Sequence, residues 1–148
     1  MENDDELKIE NELSKIIIGI AIDVHRTLGP GMFEKTYQDF LYHKLILEGL
    51  HVEKEKQVDL EIEGIKLEGA YRIDLLVENK VVLEIKSVNE ITDIHFAQTL
   101  TYLKAGNYQL GLILNFGALT MRKGIRRCIN SNDWRKLYAN TIPPIENC

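Results

Sequence analysis

Residues 71–86 read YRIDLLVENKVVLEIK. Two apolar runs flank Glu78-Asn79-Lys80, and this pattern predicts a β-hairpin. Residues two apart in a strand share a face, so Glu84 and Lys86 point one way and Ile85 the other. A three-residue loop sets Val77 opposite Val81 and Asp74 opposite Glu84, with Asn79 or Lys80 in the left-handed conformation that such a loop needs. A two-residue loop would put the two acids on opposite faces. In the odd-loop register their Cβ atoms stand about 4.5–5.5 Å apart, a like-charge pair that weakens strand pairing. A divalent cation offsets that repulsion, because Mg²⁺ is commonly held by one or two protein carboxylates together with waters and a phosphate. Lys86 is then within reach of a water or of the phosphate. Taken alone, the ordinary reading of such a triplet is a solvated face with a surface Lys–Glu pair.

Outward from the hairpin, the pattern is mixed α/β. Leu13, Ile16, Ile17, Ile20, Val24 and Leu28 recur at helical spacing, predicting a helix from about Asn11 to Leu28 that stops at Gly29-Pro30-Gly31. A second helix runs from about Met32 to Glu48, with Gly49 as its C-terminal cap. Val52–Ile62 alternates and reads as a strand, followed by strands over Leu67–Val77 and Val81–Val88. Thr92–Ala105 turns helical again, and Tyr108–Asn115 is a short apolar run suited to a buried strand. The expected order is ααβββαβ. After it come an edge strand or short helix and a final helix near Asn132–Tyr138.

Size and charge narrow the class. The chain has 148 residues, 45% of them hydrophobic, which suits one domain stabilised by packing alone. Ile16–Ile22 is the longest apolar run, far short of the roughly 20 residues that span a bilayer, and the stretch before it is acidic. The expectation is a cytoplasmic protein without a membrane partner. Cys128 and Cys148 have no metal-ligand spacing and read as reduced thiols. The formal net charge of −5, from 18 Lys and Arg against 23 Asp and Glu, argues against nonspecific coating of nucleic acid. Six of the acids fall in the first twelve residues, so the folded body is nearer to neutral.

Several short motifs occur in a fixed order. Val24-His25-Arg26-Thr27-Leu28-Gly29-Pro30 leads into Gly31-Met32-Phe33-Glu34-Lys35-Thr36-Tyr37. Asp74 and Glu84-Ile85-Lys86 follow, then Gln98 and Tyr102, then Gly111-Leu112-Ile113-Leu114-Asn115-Phe116-Gly117. From about Leu13 to Asn130 the chain resembles the GxxExxY family, a branch of the PD-(D/E)XK nuclease-like superfamily. The usual proline of the superfamily motif is replaced by Ile73, a departure shared with the branch that resembles RecB-type exonucleases.

The resemblance implies a restriction-endonuclease-like core, a mixed central sheet flanked by helices. It implies an acidic tail over residues 1–10, the nuclease-like domain over 11–130, and a C-terminal helix or tail over 131–148 packed on the same domain. It further implies that Asp74, Glu84 and the backbone carbonyl of Ile85 bind Mg²⁺ or Mn²⁺, with Glu34 as a further ligand or a ligand through water. Lys86 would orient or activate a water, and Gln98 and Tyr102, one turn apart on a helix, would steady a phosphate or the water. His25 is a capping or core histidine, with a metal ligand as the alternative.

The reaction that would follow is hydrolysis of DNA phosphodiester bonds by a metal-activated water. Arg122, Lys123, Arg126, Arg127, Arg135 and Lys136 form the basic region available to flanking phosphates. Two alternatives stand beside it. One is a nuclease-like fold used as a non-catalytic protein-interaction or regulatory module, favoured by the acidic balance. The other is a homodimer that cuts branched DNA, with two sites across a twofold axis.

Overall fold

The structure is a computed structural model that describes residues 7–130. Helix α1 (Lys8–Leu28) and helix α2 (Glu34–Leu47) precede strands β1 (Val52–Ile62), β2 (Ile65–Val77) and β3 (Val81–Lys86). Helix α3 (Asp93–Gly106), strand β4 (Leu110–Asn115), the single turn α4 (Met121–Gly124) and strand β5 (Ile125–Ile129) complete the fold. The five strands lie in the order β1-β2-β3-β4-β5, antiparallel except for β3 and β4, which run parallel. The fold is thus the mixed α/β class expected from the sequence. The region expected to hold an edge strand or a short helix holds both, α4 and β5. The expected final helix near Asn132–Tyr138 lies outside the described residues.

Each face of the sheet buries one set of apolar side chains. Ile17, Ile18, Ala21 and Val24 of α1 and Tyr37, Leu41 and Leu45 of α2 pack on Leu75, Val77, Val81, Leu83 and Ile85. On the other face, Leu100 and Leu103 of α3 pack on Val58, Ile73, Leu76 and Val82. β3 and β4 are buried almost throughout because helices cover both sides, which is why their sequences read as continuous apolar runs. Gly111 lets α3 approach β4: a Cβ there would meet Thr99 Cγ2 at 2.9 Å.

Turn chemistry sets the element ends. Gly29 and Gly31 have φ of 68° and 106°, conformations costly to other residues, so the Gly-Pro-Gly break is a required turn. The Tyr37 hydroxyl holds that turn closed, donating to Gly29 O and accepting from Met32 N at 3.1 Å. This fixes Met32 outside the helix, and α2 starts at Glu34 rather than Met32. Gly49, at φ 90°, lies just beyond α2 and donates to Ile46 O, while Leu50 N donates to Leu45 O, closing the helix end. β3 stops at Lys86, and the next amide, that of Ser87, donates to Glu34 Oε1 at 3.3 Å. Asn115 accepts from Val88 N through Oδ1 and donates to Val88 O through Nδ2, so the exit from β3 is pinned by a side chain.

Candidate functional site

The hairpin loop is odd, as expected. Val77 pairs with Val81 and Leu75 with Leu83, and Lys80 N donates to Val77 O at 2.9 Å. Glu78 and Asn79 supply the left-handed conformations, whereas Lys80 does not. The recorded pairing then ends at Leu75–Leu83, so Asp74 and Glu84 are not a bridged pair. Instead the Asp74 carboxylate accepts from Ile85 N–H at 2.8 Å, substituting for a strand partner at the point where β2 and β3 part.

The same position is irregular toward β1. Lys54 pairs with Leu75 and Lys56 with Ile73, while Glu55, at φ 56°, and Asp74 are skipped between them. The alternation of β2 breaks here as well. Leu75 and Val77 face α1 and α2, but Ile73 packs on the α3 side. Asp74 therefore sits in a fork of the sheet, and its carboxylate reaches Ile85 through the gap.

Glu84 is the buried member of the pair. It is 4% exposed, and its Oε1 has no hydrogen-bond partner. Burial first, and the Asp74 charge second, push its carboxyl well above the usual range, against the pull of Lys86. Asp74 is also raised, by burial, although the Ile85 amide and Lys86 oppose the shift. An unpartnered buried carboxylate oxygen costs on the order of 1–3 kcal/mol. Two carboxylates with one such oxygen fit a hard divalent cation, which needs only one or two protein carboxylates when waters and phosphate complete its shell. Among the described residues, no group of three His, Cys, Asp or Glu side chains is arranged to hold a metal by itself.

The remaining predicted residues divide by distance from this pair. Glu34 is exposed at the start of α2, accepts from Ser87 N at 3.3 Å, and contributes to raising both Asp74 and Glu84. Tyr102 is half-buried on α3, its ring edge-on to Tyr71 at 5.2 Å. Burial, then the charges of Glu84 and Asp74, push its hydroxyl up to about 12, so it keeps its proton at neutral pH. Gln98 is exposed one turn earlier on the same helix. His25 stands apart: Nε2 lies 2.8 Å from Ala118 O, and the ring stacks with Phe116. Arg127 reaches across to Asn11, whereas Lys123 and Arg126 line a cleft with Asn89, Glu90 and Asn115 beside the exits of β3 and β4. Arg135 and Lys136 lie outside the described residues.

Three residues join the site without having been singled out in the sequence. Arg72 and Phe33 line the same cleft of about 520 Å³ as Asp74 and Glu34. His95 accepts from Thr92 N at 3.0 Å through Nδ1, which leaves Nε2 to carry the proton of the neutral ring. Burial, with Lys86 nearby, lowers the His95 pKa further. The one sequence signal for it was its place three residues after Thr92, at a helix start.

A family model described as the PD-(D/E)XK nuclease superfamily matches residues 11–128. The chain belongs to the PD-(D/E)XK nuclease superfamily. Nucleases of this superfamily generally use divalent metal ions. No curated protein and no solved structure matches the chain. No helix among the described residues is long and apolar enough to cross a membrane.

Proposed function

We propose that the protein is a metal-dependent nuclease that hydrolyses DNA phosphodiester bonds, within the GxxExxY, RecB-type part of its superfamily. The observation that carries this reading is the unpartnered, buried Oε1 of Glu84 beside the Asp74 carboxylate. A folded protein keeps such a pair at a cost in stability, and a bound cation removes the cost.

Asp74, Glu84 and the carbonyl of Ile85 would hold Mg²⁺ or Mn²⁺, with Glu34 as a further ligand or a ligand through water. Bound there, the ion supplies Lewis acidity toward a phosphoryl oxygen and lowers the pKa of water. Lys86 places an ammonium where negative charge develops on phosphorus and orients the attacking water. Tyr102 keeps its proton at neutral pH and donates to a phosphate oxygen, with Gln98 beside it at the surface. Lys123 and Arg126 hold flanking phosphates beside the exits of β3 and β4.

The test is cleavage of supercoiled, branched and linear DNA with Mg²⁺, Mn²⁺ or EDTA by the wild-type chain and by Glu84→Ala. Metal-dependent cleavage by the wild type alone supports the proposal. Intact DNA under every condition, with both proteins folded, would point instead to a non-catalytic interaction module.

A further inference from the structure

Phe33 is the most exposed large apolar side chain among the described residues, at 85%. Its backbone is nevertheless held from both sides. Ser87 Oγ donates to Met32 O at 3.0 Å, Ser87 N donates to Glu34 Oε1 at 3.3 Å, and Met32 N donates to the Tyr37 hydroxyl. An aromatic ring that contributes nothing to the core, on a backbone fixed to the exit of β3, is a pre-positioned flat apolar surface. It lines the cleft that contains Asp74 and Glu34.

The same cleft presents a cation. The Arg72 side chain is exposed there and makes no salt bridge or hydrogen bond among the described residues, although its charge acts on Glu55 and Asp74, whereas Lys35 is committed to Asp39 and Glu55. A volume of about 520 Å³ lies within the usual size of small-ligand clefts, roughly 300–1,000 Å³. An open aromatic face, a guanidinium with no salt-bridge partner among the described residues and the Asp74 carboxylate at one cleft match one nucleotide: base on Phe33, phosphate toward Arg72. A base stacked within a duplex cannot present its face to a side chain, whereas an unpaired base can.

We infer that Phe33 and Arg72 form a subsite for an unpaired nucleotide next to the phosphate at the carboxylate pair, so that the substrate is single-stranded DNA or a frayed or flapped end. The inference deepens the proposed nuclease reading and rests on it for the identity of the ligand.

Glu84→Gln serves as the non-cleaving background for binding. Fluorescence anisotropy of a labelled single strand, a blunt duplex and a flapped duplex is measured with this variant, alone and with Phe33→Ala, Phe33→Trp or Arg72→Gln added. A strand carrying 2-aminopurine reports stacking directly. The single strand and the flap should bind more tightly than the blunt duplex. Phe33→Ala should weaken them about tenfold or more and abolish the 2-aminopurine quenching, and Phe33→Trp should restore both. Arg72→Gln should weaken binding and reduce its salt dependence.

Equal binding of all three DNAs, affinity unchanged by Phe33→Ala, or no DNA binding at all would overturn the inference. Loss of self-association in Phe33→Ala with unchanged DNA binding would also overturn it and assign the ring to a protein interface. The nuclease reading fails separately: stacking that depends on Phe33, with no metal-dependent cleavage by the wild type, removes the reaction and leaves the subsite.

Discussion

Two groups of acids each place one member, Glu55 or Asp74, in the same cleft, and the groups behave in opposite ways. On the α2 side, Glu55 and Asp39 share Lys35, and Asp39 also meets Lys54, with contacts of 3.3–3.4 Å. Glu55 is held below the usual carboxylate range by its hydrogen bond from Lys35, and Asp39 is lowered by its lysines even against burial. On the hairpin side, Asp74 and Glu84 are both raised, and one oxygen of Glu84 has no partner. The first group is compensated within the protein. The second leaves Glu84 Oε1 without a partner, and charge count alone would not separate them.

The contrast can be broken most severely at Glu84. Glu84→Ala is expected to abolish metal binding and cleavage while the fold persists. Glu84→Gln should melt higher than the wild type without metal at neutral pH, because it removes a buried charge repelled by Asp74. The pH dependence follows from the raised Glu84 and Asp74 pKa values. The folded state binds more protons than the unfolded one from the ordinary carboxylate range upward, so metal-free stability is highest below that range. It falls as pH rises toward the folded pKa. Melting temperatures across pH should show this fall in the wild type and a flatter profile in Glu84→Gln; the same slope in both would assign it elsewhere.

Lys86→Ala should keep metal affinity and lower the cleavage rate by about 10²–10³-fold, the size of losing one donor to a developing charge. Single-turnover rates at saturating metal check this, and an unchanged rate would remove its role. Tyr102→Phe should cost about tenfold, the worth of one hydrogen bond to a charged group, with no change in the fold by circular dichroism. Asp39→Asn, on the compensated side, should change cleavage by less than about twofold, as expected of exposed ion pairs. A large loss there would erase the distinction between the two groups.

Much of this arrangement was legible locally. The helical spacing from Leu13 to Leu28, the Gly-Pro-Gly break and the odd hairpin loop depend on neighbours in sequence, and each has its expected counterpart. Helix α1 begins earlier than its apolar stripe, at Lys8 rather than Asn11, and β2 begins at Ile65 rather than Leu67. What the sequence pattern missed depends on distant contacts. The fork at Asp74 breaks the period-two rule because β2 follows β1 on one side and leaves β3 on the other. Phe33 and Glu34 share a cleft with Asp74, and Ser87, 53 residues from Glu34, donates to Met32 O and to the Glu34 carboxylate there. Arg72 reads as an ordinary polar strand residue until the cleft is assembled. His95 lies in a helix start where its capping contact hides its approach to Lys86.

The most direct test of the uncompensated pair is calorimetric titration of Mg²⁺ and Mn²⁺ into the metal-free protein and into Glu84→Ala. The account predicts saturable binding by the wild type, a rise in its melting temperature with metal, and neither effect in the variant. Identical titrations for the two proteins, or no binding by the wild type, would contradict it and leave Asp74 and Glu84 without a divalent cation as partner.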